Sequence, residues 1–163
     1  MNGQGILWHS EEVTLREISV EDAEYIVLWR SDPQVYRYFK EPRKITLHQH
    51  IQWFKESYCL NNNRVDFIVL DSDQAPVGTV GVIWDEGSKT AEVSYLIAPE
   101  HRGKGLASKA LYALCAFAKK RWDVDQFTAC IHQQNLPSQK FIEAQGFAWV
   151  KNEDEFRIYQ KHR

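Results

Sequence analysis

The chain has 163 residues and a mass of 19.1 kDa, a length that fits one domain and buries roughly 70% of its unfolded surface without help from disulfides or a metal. Hydrophobic residues make up 44%, aromatic residues 13% and charged residues 26%, a composition that excludes disorder of the whole chain. Lys+Arg number 20 against 22 Asp+Glu, for a net charge of -2; that balance argues against a dedicated nucleic-acid binder but leaves room for a small anion held by a local basic patch.

Residues 1–163 read as a single domain, since no repeat, low-complexity tract or linker interrupts them. Met1 to Ser10 has no basic stretch followed by an apolar run, so secretion is not expected. No segment approaches the ~20 apolar residues of a membrane span. Cys59, Cys115 and Cys130 lie far apart with no C-x-x-C pair, which predicts reduced thiols in a cytoplasmic protein and no zinc site.

Along the chain, alternation over Val13–Arg16 predicts a first strand. Ser19-Val20-Glu21-Asp22 has the form of a capping box and opens a helix through Ala23, Ile26, Val27 and Trp29-Arg30. Pro33 ends it, and a short amphipathic piece follows over Val35–Phe39. Thr46-Leu47-His48-Gln49 is a second capping box, and the helix behind it predicts Leu47, Ile51, Phe54 and Tyr58 on one buried face. The period then changes to two. Val65–Leu70, Val77–Trp84 and Ala91–Ala98 predict an antiparallel meander, because their connections are too short for crossovers. A long helix runs from about Gly103 to Arg121, with Leu106, Ala110, Leu114, Phe117 and Ala118 inward. Phe127–Ile131 is a strand, Pro137 sits in the first turn of the next helix, and Gly146 ends that helix. Phe147–Val150 and Phe156–Tyr159 close as a hairpin. The order predicts an α/β sandwich with a partly parallel centre.

The chemistry is concentrated in Tyr-Leu-Ile-Ala-Pro-Glu-His-Arg-Gly-Lys-Gly-Leu-Ala, residues 95–107. A strand runs into a glycine-bearing turn that opens a long helix. The first N–H groups of a helix lack internal partners, and glycines let those groups approach a ligand, so the segment is a candidate phosphate cradle. Arg102, Lys104 and Lys109 add positive charge. A P-loop is absent, since no Gly-Lys-Ser/Thr follows a four-residue gap. The dinucleotide fingerprint fits poorly: Ala107 comes one position early and Ser108 holds the expected place.

Arg102-x-x-Gly105-x-Ala107 resembles the Arg/Gln-x-x-Gly-x-Gly/Ala motif of the GNAT superfamily of N-acyltransferases. Asn135-Leu-Pro-Ser138 followed by Gly146-Phe147 resembles the family's second motif, and the resemblance spans nearly the whole chain. It implies a GNAT-like α/β fold with a mixed sheet of about six or seven strands, helices on both faces, and a bulged strand before the pyrophosphate loop. It implies acetyl-CoA as cosubstrate and no metal. Backbone groups near Leu96, Ile97 and Ala98 would pair with the pantetheine arm. Arg102, Gly103, Lys104, Gly105, Ala107 and Ser108 would surround the pyrophosphate. Asn135 would hold the pantetheine or simply cap its helix. Glu92 would serve as the base that accepts the amine proton, which an amine of pKa near ~10 retains at pH 7. The family's usual helix tyrosine is replaced by Ile142, so Ser138 becomes the candidate to assist the departing thiolate. Cys130 is read as a core residue, since the family transfers acetyl directly in a ternary complex.

On the acceptor side, Trp29-Arg30-Ser31-Asp32-Pro33 and His50-Ile51-Gln52-Trp53-Phe54 resemble the nucleotide-amino-sugar N-acetyltransferases of the pseudaminic-acid pathway. Arg30 would grip a diphosphate, His50 would contact sugar or base, and Trp53 would stack on a ring. The alternative readings are an Arg30 stem that covers the core and a His50 solvated on its helix. The same helices resemble the ribosomal-protein N-terminal acetyltransferases, so a protein α-amine is the alternative acceptor. The expected partners are a small-molecule amine, no nucleic acid and no membrane, in a monomer or homodimer. A dinucleotide-binding domain and a non-catalytic acyl-CoA module remain the readings from other classes.

Overall fold

The computed structural model describes residues 2–163. Its strands are β1 Leu7–His9, β2 Thr14–Glu17, β3 Arg64–Leu70, β4 Pro76–Asp85, β5 Thr90–Ile97, β6 Gln126–His132, β7 Ala148–Glu153 and β8 Phe156–His162. Its helices are α1 Ala23–Arg30, α2 Pro33–Tyr36, α3 Leu47–Trp53, α4 Leu106–Arg121 and α5 Leu136–Ala144. All eight strands join one sheet in the order β1-β2-β3-β4-β5-β6-β8-β7. Every neighbouring pair is antiparallel except β5 and β6. No helix among the described residues is long and apolar enough to cross a membrane.

The two sheet faces follow from strand alternation. Val65, Phe67 and Val69 of β3, Ala91 and Val93 of β5, and Phe127, Ala129 and Ile131 of β6 point to one side. There they meet Ala110, Leu114, Phe117 and Ala118 of α4 and Ile142 of α5. Ile68 and Leu70 point to the other side and pack against Ile26 and Trp29 of α1, with Phe54 and Tyr58 beyond α3. Both capping boxes exist: the Asp22 carboxylate accepts from Ser19 N–H at 2.9 Å, and Thr46 and Gln49 bond reciprocally at 3.0 and 3.1 Å. Gly146 adopts φ +91°, as a chain leaving a helix requires.

Three expectations are corrected. The sheet has eight strands rather than six or seven, because β1 is a three-residue strand with no apolar alternation to announce it. Leu47 is 41% exposed while His50 is buried. Behind α3 the helix widens into a π-turn over Phe54–Tyr58, closed by Cys59 N–H to the Phe54 carbonyl at 3.0 Å. The extra residue in that turn shifts the phase of the buried face. Finally, no bulge interrupts β5: its register with β4 is unbroken from Asp85↔Thr90 to Gly78↔Ile97. The strand departs from β6 instead. Their pairing ends after Thr90↔Gln126, Ala91↔Phe127 and Glu92↔Thr128, and a gap opens between the remaining halves of the two strands.

Candidate active site

The gap presents unused backbone groups. Ala98 N–H bonds the Val77 carbonyl at 2.8 Å, so the even-numbered residues of β5 direct their peptide groups toward β4 and the odd-numbered ones away from it. Ile97 and Tyr95 therefore offer N–H and C=O to the gap, whereas Leu96 and Ala98 are spent within the sheet. Of the expected Leu96, Ile97 and Ala98, only Ile97 directs its peptide groups to the gap, joined there by Tyr95. Arg102 already uses one of these groups, donating from Nε to the Ile97 carbonyl at 3.1 Å.

The gap leads to the glycine turn. Gly103 and Gly105 have φ +78° and +74°, and a Cβ on either would meet open space. That conformation turns the chain sharply from Arg102 into α4, so the N–H groups of its first turn are left without intrahelical partners. A cleft of about 260 Å³ lies against this turn, lined by Ile97, His101, Arg102, Gly105, Leu106 and Phe141 among others. Gly103, Ala107 and Ser108 also border it. An apolar floor ending at free amides and cations fits a pantetheine arm that ends in pyrophosphate. Two side chains behave otherwise than the sequence suggests. Lys109 is tied to Glu12, and Ser108 Oγ donates to Gln145 Oε1 at 3.0 Å, bracing α4 against the end of α5. Lys104 has no acidic partner among the described residues.

Glu92 and Ser138 sit on opposite sides of the sheet. Ala91 and Val93 are buried under α4, so Glu92 between them points to the other face, where it is exposed. It pairs across the sheet with Ile83 and Thr128, at the last rung before the gap. Ser138 lies in the first turn of α5, and its Oγ is 2.5 Å from the Tyr95 hydroxyl. Asn135 is the cap of that helix, its Oδ1 accepting Ser138 N–H at 3.4 Å. Ile142 is fully buried in the core. Burial raises the Cys130 thiol above its ordinary value, which disfavours the thiolate a nucleophile needs.

The residues expected on the acceptor side form one cluster on the face of Glu92. Arg30 ends α1 with its guanidinium over the Phe39 ring at 4.9 Å. Burial, and then repulsion from Arg64, lower its pKa, and it forms no ion pair among the described residues. His50 is 2% exposed, and neither ring nitrogen has a hydrogen-bond partner. Burial first, and Arg30 second, hold its pKa below the ordinary value. Trp53 lies 5.5 Å from the His50 ring and also carries the Arg64 guanidinium at 4.9 Å, so it is a wall of the cluster. Sequence reasoning missed Arg64 and Asp66, which bond bidentately at 3.0 and 2.9 Å beneath these helices. The signal was present: both are charged residues at alternate positions of an otherwise apolar strand. Burial works against the Arg64 charge, but Asp66, with Glu92 among the further contributors, keeps its pKa raised.

Residues 12–148 match the family model described as Acetyltransferase (GNAT) domain. The chain is 28% identical to p20 of Bacillus licheniformis, named an uncharacterized N-acetyltransferase, over 94% of this chain and 86% of that one. A domain from Methanocaldococcus jannaschii superposes with a TM-score of 0.81 at 24% identity, covering 94% of this chain and all of the other (100%). The spermidine N-acetyltransferase of Vibrio cholerae, solved with CoA and spermine, superposes with a TM-score of 0.80 at 20% identity over 91% of this chain and 92% of that one. The splayed β5–β6 pair, the glycine turn into α4 and the family match together place this chain in the GNAT acetyltransferase family.

Proposed function

We propose that the chain transfers acetyl from acetyl-CoA to the primary amine of a small acceptor that also bears an anionic group, best matched by a nucleotide-linked amino sugar. The observation that carries the donor half is the gap beside β5, lined by free peptide groups and ending at the glycine turn. Tyr95, Ile97 and Asn135 would hold the pantetheine arm, and Arg102, Gly103, Lys104, Gly105, Ala107 and Ser108 would surround the pyrophosphate. The bound coenzyme supplies an activated acyl thioester. Glu92, through water, takes the proton from the amine on one face of the sheet, and Ser138 hydrogen-bonds the leaving sulfur from the other. The amine attacks directly.

The acceptor half rests on Arg30 and His50. A half-buried guanidinium without an ion-pair partner and a buried imidazole without a hydrogen-bond partner are both satisfied by an anionic, hydrogen-bonding group. A polyamine would bring positive charge to Arg30 and Arg64. A protein α-amine is the second reading, favoured by the exposed position of Glu92, which a chain terminus can reach.

The test is thermal stabilisation by acetyl-CoA, CoA and NADPH at equal concentration. A ligand at ~100 times its Kd stabilises by ~2.7 kcal/mol, worth several degrees here. Both CoA forms are expected to stabilise and NADPH is not; failure of the CoA forms overturns the donor assignment. Turnover with UDP-amino sugars, spermidine and a peptide with a free N-terminus then decides the acceptor.

A further inference from the structure

The Tyr95 hydroxyl reaches across the place where β5 and β6 part. It stands 2.5 Å from Ser138 Oγ and 3.4 Å from the Ser138 carbonyl. Its ring is held 4.8 Å from that of Phe141, also on α5. Among the described residues Ser138 Oγ has no other partner; in particular it does not bond back to its own helix. Of the two hydroxyls the phenol is the stronger acid, and both acceptor atoms within its reach belong to Ser138. The phenol therefore donates to Ser138 Oγ.

We infer that Tyr95 is a positioning residue for acetyl transfer: its O–H occupies a lone pair of Ser138 Oγ and aims the serine proton into the gap, at the departing sulfur. This rests on the reading of Ser138 given above. In the step itself the amine nitrogen bonds the acyl carbon, the C–S bond breaks, and its electron pair leaves on sulfur. The amine proton passes by way of Glu92 to solvent, and the thiolate takes its proton from solvent after release. Donation by Tyr95 polarises the serine hydroxyl and strengthens the hydrogen bond that receives the developing charge. Burial holds the phenol pKa up at about 12. An ordinary thiol titrates near ~8.5, so the phenol keeps its proton throughout and contributes a hydrogen bond rather than an acid. Tyr95 on β5 and Ser138 on α5 thus bring two hydroxyls together beside the gap, while Ile142 is buried in the core and offers none.

The experiment is a double-mutant cycle on the full chain with Tyr95→Phe, Ser138→Ala and the double variant. CoA thiol release is followed with UDP-glucosamine, and separately with hydroxylamine, which is largely unprotonated at neutral pH and so needs little from Glu92. Tyr95→Phe and Ser138→Ala are each expected to lower kcat roughly tenfold with the KM for acetyl-CoA unchanged, and the double variant should equal Ser138→Ala alone. Full activity of Tyr95→Phe, or losses that multiply in the double variant, overturns the positioning role. A raised KM with unchanged kcat also overturns it, since that marks a strut that only shapes the gap. Full activity of Ser138→Ala overturns the leaving-group reading itself, and no enzyme-dependent release with either amine overturns the transfer reading beneath both.

Discussion

His50 is a neutral imidazole sealed among Arg30, Trp53 and Asp66, and its position makes it a stability sensor as well as a binding candidate. Its folded pKa lies below the ordinary value, so on acidification the unfolded chain takes up the proton first. The stability that this residue contributes is complete above about pH 6.5 and is lost as pH falls below it toward the folded pKa. Melting temperatures from pH 7.5 to 5.5 should therefore fall in the wild type and fall less steeply in His50→Gln; equal slopes would assign the effect to another group. Glu92 offers the opposite case, an exposed side chain whose proposed role is chemical. Glu92→Gln should cost about 100-fold in kcat, in line with general-base contributions, while leaving the melting temperature within about a degree. An unchanged rate would remove Glu92 from the mechanism. The motif residues were legible because they form contiguous strings, Arg102 to Ala107 and Asn135 to Ser138. Tyr95 was not, since it acquires meaning only from a partner distant in sequence, Ser138; Arg64 and Asp66, two residues apart, were legible as charges in an apolar strand, but their place beneath the helices was not.

The elements that position the site are held by local rules and by one close approach. Gly105 caps α4 in the left-handed conformation, with open space where a side chain would project. Gly105→Val should lose about 1–2 kcal/mol of stability from the positive φ. Its larger effect should be on ligand affinity, because the new side chain enters the space above the free amides. A tenfold or greater rise in the Kd for CoA by calorimetry is expected, and unchanged affinity would move the pyrophosphate elsewhere. Gly78 plays a different part: a Cβ there would meet the Leu96 carbonyl at 2.1 Å. Its absence lets β4 hug β5 along the full register, so that β5 separates from β6 and not from β4. Element identities were readable from period and caps, and helix α4 and strands β3 to β6 agree with expectation to within a few residues. The π-turn after α3 was not, because its extra residue is stabilised by tertiary burial of Phe54 and Tyr58 and leaves no propensity signature.

At the scale of the molecule, a buried carboxylate ties the segment ahead of β1 to the π-turn behind α3. Glu17 accepts from Gly3, Gly5 and Ile6 N–H and from the Tyr58 hydroxyl at 2.7 Å. Tyr58→Phe leaves that charge one donor short and should lower stability by about 1–3 kcal/mol. Amide exchange should accelerate in β1 and the π-turn together, both being anchored on Glu17; acceleration in one alone would show that the tie does not couple them. The same scale separates what was inherent in the sequence from what required the fold. Residue order and local stereochemistry determined the elements, the glycine turn and the family resemblance, since periodicity, capping and φ preferences act over a few residues. Only the tertiary structure decided where β5 leaves β6, which peptide groups face the gap, and that Glu92 and Ser138 approach it from opposite faces. Those features depend on register and on packing between segments far apart in the chain, where a shift of one residue exchanges the two faces of the sheet.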